Sequence, residues 1–403
     1  MSADKREPAL RPIFADLHVH IGSSGAGEPV KISASRQLTF QAIAEEASAR
    51  KGIALVGVID CHSPAVQTDI DRLLDTGEMT EEPDGGIRYR RTVILPGGEI
   101  EVREPGGGPF HLLAFLPTLA AMREWTAWMR PRMKNVNLSS QRIRATAREL
   151  QDELLGRGGL LIPAHVFTPH RGLLGCSADR LSERLDPDGI AAIELGLSAD
   201  SAMAGHLSEL DHYAFLTNSD AHSAGMIGRE CNELLLAEPT FAELAKALRG
   251  EGGRRVAANL GLHPKLGKYH TTYCSSCRRA LPPDAEDAAA CPGCGSERLV
   301  RGVAGRVAQL ADREKPFWPP HRPPYRHQVP LSFFPGIGPR MRERMLGELG
   351  TEMEILHRLS RDAIASTAGE KLADAIVAAR EGRLLFSAGS GGAYGRIETN
   401  PGV

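Results

Sequence analysis

The first 222 residues carry eight histidine and carboxylate side chains that could bind metal ions. Nearly all of them stand at or just after a short apolar run, as in PIFADLHVH and YAFLTNSDAHS. Imidazole and carboxylate groups suit zinc and manganese, and carboxylates also suit magnesium. A single histidine such as His206 is better explained as an ordinary core or surface residue, but the set together predicts two or three divalent ions in an active site. The eight residues are His18, His20, His62, Glu99, His111, His165, Asp220 and His222.

Two ions held side by side favour phosphoryl chemistry. Such a pair clamps the attacking and the leaving oxygen of an in-line displacement and lowers the pKa of a bound water, which becomes the nucleophile. His18 and His20 stand two apart, so on a strand they point to the same face. These two histidines form the expected catalytic centre with Glu99 and Asp220. We expect the loss of Asp220 to be the most damaging single change, because a carboxylate can bridge or neutralise two cations.

The apolar runs that end in these residues alternate with longer segments of helical character. Helices are predicted near residues 38–51, 139–156 and 239–250. Short strands that alternate with helices indicate βα units around a parallel sheet. Functional residues at the carboxyl ends of such strands are typical of a β/α barrel. The sequence therefore predicts an α/β fold with a barrel as its first domain.

A second metal site is predicted from two C-x-x-C pairs, Cys274 with Cys277 and Cys291 with Cys294. Four thiolates in this spacing can close a tetrahedral cage around one structural zinc ion. Redox chemistry at a C-x-x-C motif is the alternative, but it would not need two pairs. The other three cysteines (Cys61, Cys176 and Cys231) are expected to be ordinary reduced thiols.

The segment SFFPGIGPRMRERMLGELG (332–350) places a Gly-Ile-Gly-Pro turn before an arginine-rich helix. A turn of this kind presents backbone N–H groups at a helix N-terminus, where a phosphate can bind. The segment resembles a helix-hairpin-helix element, which holds the DNA backbone without reading its sequence. A plain helical turn is the alternative for the motif taken alone. The expected DNA-binding residues are Gly336, Gly338, Arg340, Arg342 and Arg344.

Composition and charge limit the class of protein. The chain has 403 residues, is 42% hydrophobic and carries a formal net charge of −2. Residues 1–263 have a net charge of −7, which suits the binding of metal ions, and residues 264–385 have a net charge of +5, which suits the binding of a polyanion. No apolar run reaches the length of a membrane span, and the N-terminus lacks the apolar core of a signal peptide. We therefore expect a cytoplasmic protein, and a monomer because each proposed site is complete within one chain.

These changes in composition divide the chain into four expected parts. We expect a metal-binding barrel over residues 1–263 and a zinc-ribbon domain over 264–326. A helical, helix-hairpin-helix-like DNA-binding domain is expected over 327–386, and a flexible tail, rich in glycine and polar residues, over 387–403.

The first part resembles a known family. The motifs DLHVH (16–20), DCH (60–62), GGE (97–99), HLLAF (111–115), AH (164–165) and DAH (220–222) are similar to the motif set of the polymerase and histidinol phosphatase (PHP) family. The resemblance implies a distorted β/α barrel with a two- or three-metal phosphoesterase site. Many PHP proteins carry a further histidine shortly after the first pair, and the corresponding stretch here, IGSSGAGEP (21–29), has none.

The whole chain resembles the endonuclease Q family, because it combines a PHP barrel with a four-cysteine ribbon and a helix-hairpin-helix. IELGLSADSAM and NSDAHS also match that family. The resemblance implies a DNA repair endonuclease that cuts on the 5′ side of deaminated bases (uracil, hypoxanthine, xanthine) and abasic sites. It leaves a 3′-hydroxyl and a 5′-phosphate. DNA with such lesions is the expected partner, and replication or repair proteins are further candidates.

Two other functions remain open from the residues alone. A PHP-type small-molecule phosphatase would fit the barrel but would need neither the ribbon nor the arginine-rich hairpin. A DNA-binding accessory protein with a decayed barrel is the other, and the nearly complete ligand set speaks against it. For a nuclease, we expect the damaged base to be flipped from the stack, since a recessed barrel cannot otherwise inspect it. Its pocket is sought at residues 137–144 or 165–175, each of which could equally be a plain surface segment.

Overall fold

The fold was analysed in a computed structural model that describes residues 9–282, 285, 288–387 and 396–398. The predicted flexible tail at 387–403 lies almost entirely outside the described residues. Sixteen strands are present in this part: β1 Arg11–Val19, β2 Leu55–Val58, β3 Thr80–Glu81, β4 Ile87–Tyr89, β5 Thr92–Val102, β6 Phe110–Phe115, β7 Leu160–Pro163, β8 Ile193–Glu194, β9 Phe215–Leu216, β10 Cys231–Leu236, β11 Arg255–Gly261, β12 Tyr273–Cys274, β13 Leu299–Val300, β14 Tyr325–His327, β15 Leu385–Ser387 and β16 Arg396–Glu398.

Eleven α-helices surround or follow the strands in the same residues, together with short 3₁₀ and π turns. They are α1 Phe40–Glu45, α2 Pro64–Asp75, α3 Leu119–Met129, α4 Ala147–Leu155, α5 Ser201–Ala204, α6 Phe241–Arg249, α7 Val303–Leu310, α8 Pro339–Leu349, α9 Glu352–His357, α10 Arg361–Ala368 and α11 Glu370–Arg380. None of the described helices is long and apolar enough to cross a membrane.

Ten strands form one curved, mixed sheet. Its path runs β14-β11-β10-β1-β2-β5-β4-β3, with β6 and β7 added beyond β5. The strands β1, β2 and β5 are parallel, whereas β5, β6 and β7 pair antiparallel. The parallel sheet that the sequence predicts is therefore wrong for β5, β6 and β7, which pair antiparallel. The reason is local: only residues 103–109 join β5 to β6, and a parallel crossover needs a dozen residues or more.

Side-chain alternation along β1 separates the core from the site. Ile13, Ala15 and Leu17 are buried in one apolar cluster with residues of β2, β5, β7 and β10. The even-numbered residues of the strand point to the other face. His18 is therefore fixed on the face opposite Leu17, and His20 follows on the same side.

All three predicted helices are shorter than expected. The first spans 40–51 as α1 followed by a π turn, and the third is α6. The prediction of a helix over 139–156 is wrong at its start, since α4 begins only at Ala147. Thr146 and Glu149 form a capping box there, which satisfies the first backbone N–H groups and ends the preceding loop.

The C-terminal third packs against the barrel. After the cysteine-rich hairpin β12-β13, strand β14 returns to pair with β11 of the large sheet. The helices α8 to α11 follow, and a buried ion pair joins Lys51 of the barrel to Glu352 of α9, with Nζ 2.6 Å from the carboxylate. The domain boundaries stay a prediction, and β14 shows that the barrel sheet takes a strand from beyond residue 263.

Candidate functional site

The site lies near the C-terminal ends of β1, β5, β7 and β9 and at the start of β6. His18 is near the end of β1, Glu99 is on β5 and His111 is on β6. The backbone of Ala221 pairs with the end of β1, because its N–H donates to His18 O and its carbonyl accepts from His20 N–H. This pairing brings the residues on either side of it, Asp220 and His222, next to the first two histidines.

Seven of the eight predicted ligands meet in three overlapping groups. His18, His20 and Glu99 form one; His20, Asp220 and His222 form a second; Glu99, His111 and His165 form a third. Within each group the ligand atoms lie within 4.8 Å of one another. His20 and Glu99 each belong to two groups, so neighbouring ions would share ligands, as in a multi-metal centre.

The distances within the groups are those of ligands around a common centre. His18 Nε2 lies 3.5 Å from Glu99 Oε1 and 3.5 Å from Asp220 Oδ1. His20 Nε2 lies 3.6 Å from Glu99 Oε2 and 3.4 Å from Asp220 Oδ1. These gaps are too long for hydrogen bonds, and they are ordinary for two ligand atoms on one ion.

The buried Nε2 atoms of His18 and His20 have no hydrogen-bond partner among the described residues. A buried polar atom without a partner is costly, so its retention calls for an explanation. A divalent cation would supply one, because neutral imidazole donates its lone pair to such an ion. The residues therefore fit the metal ions that the sequence predicts.

Two further carboxylates orient the histidines from behind. Glu194 lies 3.0 and 3.1 Å from His18 Nδ1, and Asp60 Oδ2 lies 3.1 Å from His20 Nδ1. Each carboxylate accepts the ring N–H on that side, which leaves Nε2 as the ligand atom. Glu194 also accepts from His165 N at 2.7 Å and from Asn218 Nδ2 at 2.8 Å, so it holds three parts of the site together.

The carboxylates of the site are ionised at neutral pH. Burial alone would raise their pKa values, but the surrounding histidines and Lys31 reverse the shift. The pKa of Glu99 is lowered well below its usual value, and so is that of Asp220 beside His18 and His20. For His18 the shift is in the other direction. Burial opposes the charged form of its imidazole, but the nearby carboxylates of Glu194 and Asp220 raise the pKa of His18 well above the ordinary value.

Two ligand residues adopt the left-handed backbone conformation, His165 at φ +30° and Asp220 at φ +46°. This region costs energy for residues with a side chain, and such strain concentrates at functional sites. Both residues follow directly on a buried strand or loop, and the strained backbone turns their side chains toward Glu99 and His18 respectively.

Four residues outside the predicted ligand set contact the predicted ligands. Besides Glu194 and Asp60, Lys31 Nζ lies 3.3 Å from Glu99 Oε2, and the Ser140 hydroxyl donates to the same carboxylate. Glu194 and Asp60 also stand at the ends of apolar runs, so they share the signal that predicts the ligands. Ser140 lies in the segment 137–144 considered for the base pocket, whereas Lys31 lies in an irregular loop with no comparable pattern.

His62 is the predicted ligand that the structure does not bring into the three groups. Its Nε2 atom lies 3.4 Å from Leu138 O, and burial lowers its pKa. Its Nδ1 atom is buried without a hydrogen-bond partner in the described part of the chain. A ligand role for His62 therefore stays a prediction.

A cavity of about 590 Å³ opens in front of the ligands. The ligand groups form its floor, and cationic and aromatic side chains form its other walls, among them Arg171, Arg229, Lys268 and Tyr269. Both segments named for a base pocket reach this region: Ser140 contacts Glu99, and Thr168, His170 and Arg171 line the cavity. An opening with carboxylates and histidines on one side and cations on the other suits a phosphate ester.

The four predicted zinc ligands also meet. The Sγ atoms of Cys274, Cys277, Cys291 and Cys294 all lie within 4.8 Å of one another, and two of the pairs are 3.7 Å apart. A tetrahedral cage with zinc–sulfur bonds of about 2.3 Å requires a sulfur–sulfur distance of about 3.8 Å. Backbone N–H groups of the first knuckle lower the pKa of Cys274 to about 6, which favours the thiolate that binds zinc.

The predicted DNA-binding hairpin precedes α8. Gly336 has φ +96°, a conformation that favours glycine, and Gly338 is the N-cap residue of the helix with Pro339 next. Arg340 and Arg344 are exposed and Arg342 is partly buried. The geometry is that of an open helix N-terminus beside positive charge.

A family model described as PHP-associated matches residues 202–251 of this chain. The uncharacterized protein YqxK of Bacillus subtilis is 46% identical over 391 residues, which cover 96% of this chain and all of that protein. The uncharacterized protein MJ0043 of Methanocaldococcus jannaschii is 36% identical over 230 residues, or 52% of this chain and 28% of that protein.

Two solved structures match nearly the full length. One is the lesion-specific endonuclease PfuEndoQ from Pyrococcus furiosus, at 33% identity and a TM-score of 0.84, covering 97% of this chain and 96% of that one. The other is endonuclease Q in complex with a 27-mer duplex that carries an abasic lesion at the active site, at 32% identity, a TM-score of 0.84 and 97% coverage of both chains. The predicted fold class is confirmed by these matches and by the cysteine cluster.

Proposed function

This chain belongs to the endonuclease Q family, and from that membership we propose that it is a metal-dependent endonuclease that acts on damaged DNA. In finer detail, we propose that it hydrolyses the phosphodiester on the 5′ side of uracil, hypoxanthine, xanthine or an abasic site. The products are a 3′-hydroxyl and a 5′-phosphate. The lesions and the side of the cut come from the family resemblance and are the parts that need testing.

One observation supports the chemistry above all others, namely the three ligand groups joined by His20 and Glu99 at the floor of one cavity. Zinc, manganese or magnesium ions bound there would polarise the phosphodiester and lower the pKa of a coordinated water. His18, His20, His111, His165 and His222 would hold them together with Glu99 and Asp220.

The protein's own groups bind and orient the substrate. Lys31 places an ammonium group 3.3 Å from Glu99 Oε2, where it can also attract a phosphate oxygen. Arg171 and Arg229 line the cavity on another side and suit the DNA backbone. Glu194 and Asp60 keep two histidine rings in one tautomer, so the site is preorganised before substrate arrives.

The C-terminal third supplies contacts with DNA outside the cavity. We propose that Gly336, Gly338 and the arginines of α8 bind backbone phosphates, and that the four-cysteine cluster holds one structural zinc ion. Phosphate contacts position a protein but carry no sequence information. Recognition of the lesion would then depend on the cavity, into which the damaged nucleotide is flipped.

A nicking assay tests the proposal. The substrate is a 5′-labelled duplex with one uracil, compared with an undamaged duplex, in manganese or magnesium. We expect one cut immediately 5′ of the uracil, no cut in the undamaged duplex, and a loss of about a hundredfold or more in Asp220→Asn. Asp188→Asn, which changes an exposed carboxylate outside the cavity lining, is the matched control.

The contrary result is also specific. Release of phosphate from small monoesters, without any cut in uracil, hypoxanthine or abasic DNA, would replace the nuclease by a small-molecule phosphatase. DNA binding without cleavage, in the presence of bound metal, would leave only an accessory role.

A further inference from the structure

Ile32 is an apolar residue held out at the rim of the catalytic cavity. Its side chain is 82% exposed, the highest exposure among the large hydrophobic residues of the described chain. Its two neighbours, Lys31 and Ser33, both line the cavity. Single exposed apolar residues are common on protein surfaces, so the position of Ile32 rather than its exposure alone needs an explanation.

The loop that carries Ile32 is held in place by the site itself. Lys31 N donates to Ile21 O at 2.9 Å, and Ser35 N donates to His222 O at 2.8 Å. Ala34 N donates to Lys31 O at 3.0 Å, so Ile32 and Ser33 are the central residues of a tight turn. The turn is thus bonded on one side to the chain that follows His20 and on the other to a predicted metal ligand.

A close backbone approach adds to this rigidity. A Cβ atom added at Gly22 would lie 1.9 Å from Ser35 O, so the loop packs directly on the strand end. A side chain on such a turn keeps a fixed distance from the ligands. This is the requirement for a group that must act on DNA at one position relative to the cut.

The charges around Ile32 indicate which kind of partner contacts this side chain. Lys31 precedes it and the exposed Arg36 follows it, and Arg171, Arg229 and Lys268 line the cavity nearby. An apolar side chain among cations matches a duplex, in which stacked bases lie between phosphate backbones. Proteins that distort DNA insert isoleucine, leucine or phenylalanine between base steps in this way.

We propose that Ile32 is a wedge that enters the base stack beside the lesion and occupies the space that the flipped nucleotide leaves. The inference rests on the proposed function, since it assumes a duplex substrate and an extruded nucleotide. It deepens that function by naming the side chain that stabilises the open duplex. Ile32 is a positioning residue here, because it contacts neither the metal ligands nor the scissile bond.

The test compares two substrates that differ only in pairing. One is a duplex with a paired uracil, and the other carries the same uracil as an unpaired bulge. We expect Ile32→Ala to cut the paired substrate about tenfold more slowly. The wedge offsets part of the free energy needed to unstack a base step, and a tenfold change in rate is a fraction of that free energy. The bulged substrate should be cut at the wild-type rate, since its uracil is already unstacked.

Two controls separate a wedge from a structural effect. Leu155→Ala truncates an aliphatic side chain of the same size that is 39% exposed at the end of α4, and it should leave both rates unchanged. Ile32→Phe keeps an apolar wedge and should retain cutting of the paired duplex. The thermal midpoint of Ile32→Ala should equal that of the wild type, because the side chain is exposed.

A second readout is independent of cleavage. A 2-aminopurine next to the uracil should brighten when wild-type protein binds and stay dim with Ile32→Ala. Equal brightening in both proteins, or an equal loss of rate on both substrates, would overturn the wedge while leaving the nuclease intact. If the wild type cuts neither substrate but brightens the probe while Ile32→Ala leaves it dim, the proposed nuclease function is wrong and the wedge is supported. If it does neither, both are wrong.

Discussion

Glu194 shows how one residue behind the ligands can control the metal centre. Its carboxylate bonds to His18 Nδ1, His165 N and Asn218 Nδ2. Removing its charge would weaken the hydrogen bond to His18 Nδ1 and make His18 Nε2 a weaker metal ligand. Partners of this kind are worth about 10- to 100-fold in metal affinity or activity. We therefore expect Glu194→Gln to lower the affinity for manganese by that factor.

Calorimetric titration with manganese measures this effect, and nicking rates at rising metal concentration give a second estimate. Glu124→Gln is the control, because Glu124 is 72% exposed and lies on the outer helix α3. An unchanged manganese affinity in Glu194→Gln would mean that His18 is held by its packing alone.

Glu230 lies outside the metal centre and controls stability instead. Burial raises its pKa to about 8. Its Oε1 accepts from Leu262 N at 2.6 Å, and its Oε2 has no hydrogen-bond partner among the described residues. In the unfolded chain the carboxyl ionises near its ordinary pKa of about 4.3. Between that pH and about 8, the unfolded state loses its proton while the folded state keeps it.

The folded protein should therefore become less stable as pH rises through this window, by up to about 1.4 kcal/mol per pH unit. Glu230→Gln mimics the protonated acid and should remove this part of the slope, so that the variant is the more stable protein at pH 8. Urea unfolding at a series of pH values measures the slope. The same slope in both proteins would show that Glu230 ionises in the folded state with an ordinary pKa.

At this scale the sequence predicts residue types better than roles. The ligands could be proposed because histidine and carboxylate recur at strand ends, yet Glu194 and Asp60 satisfy the same rule and lie behind the ligands. His62 satisfies it too, but its ring faces Leu138 O. Which ring nitrogen meets which partner depends on contacts between distant segments, and no local pattern encodes them. The left-handed backbone of Asp220 is equally hidden.

At the scale of elements, the sequence predicts the features that depend on neighbouring residues. The alternation in β1 and the cysteine spacing of the ribbon both correspond to structure. The antiparallel pairing of β5, β6 and β7 was missed, although the seven-residue connection after β5 was visible. The start of α4 was missed because apolar spacing was followed past the capping residue Thr146. Tertiary pairing and caps thus override periodicity.

We expect the hairpin β12-β13 to depend on the proposed zinc ion. Outside the cysteines, its buried apolar cluster contains Leu281 and little else, so a bound zinc ion would supply much of its stability. We expect Cys291→Ser to lose about one zinc equivalent per chain and to expose the hairpin amides to hydrogen exchange. The large sheet should keep its protection.

Metal analysis and hydrogen exchange with mass spectrometry test this expectation. Cys176→Ser is the matched control, because its half-buried thiol lies outside the cluster. A full zinc content in Cys291→Ser would contradict a four-thiolate site. Loss of protection across β1 and β5 would show that the hairpin and the barrel unfold together.

At the scale of the whole molecule, two ion pairs join the barrel to the helices α8 and α9. Arg50 bonds to Glu343 of α8 through two nitrogens, at 2.8 and 2.6 Å, and Lys51 bonds to Glu352 in a buried position. Both lysine and arginine come from the π turn that follows α1. These contacts connect α8 and α9 to the barrel, and we propose that one duplex reaches both the cationic side of α8 and the cavity.

The charge asymmetry gives this arrangement a measurable signature. Arg340 and Arg344 are exposed on α8, within the basic part of the chain. If they and Arg342 bind phosphates, the triple change to alanine should reduce the salt dependence of binding by about 0.9 for each phosphate that the variant no longer neutralises. Fluorescence anisotropy with an undamaged duplex at about 50 to 200 mM salt gives the slope of log K against log salt.

The control is the triple alanine variant of Arg123, Arg249 and Arg255, which are also exposed but lie on the barrel. It removes the same charge, so a general loss of positive potential would affect both triples equally. An equal slope in the two would contradict the hairpin as a DNA-binding element. Because phosphate contacts do not read bases, the α8 variant should weaken damaged and undamaged duplexes by the same factor. Its preference for the lesion would then remain that of the wild type. Such a result would indicate that the barrel recognises the lesion and that the helices bind the DNA backbone.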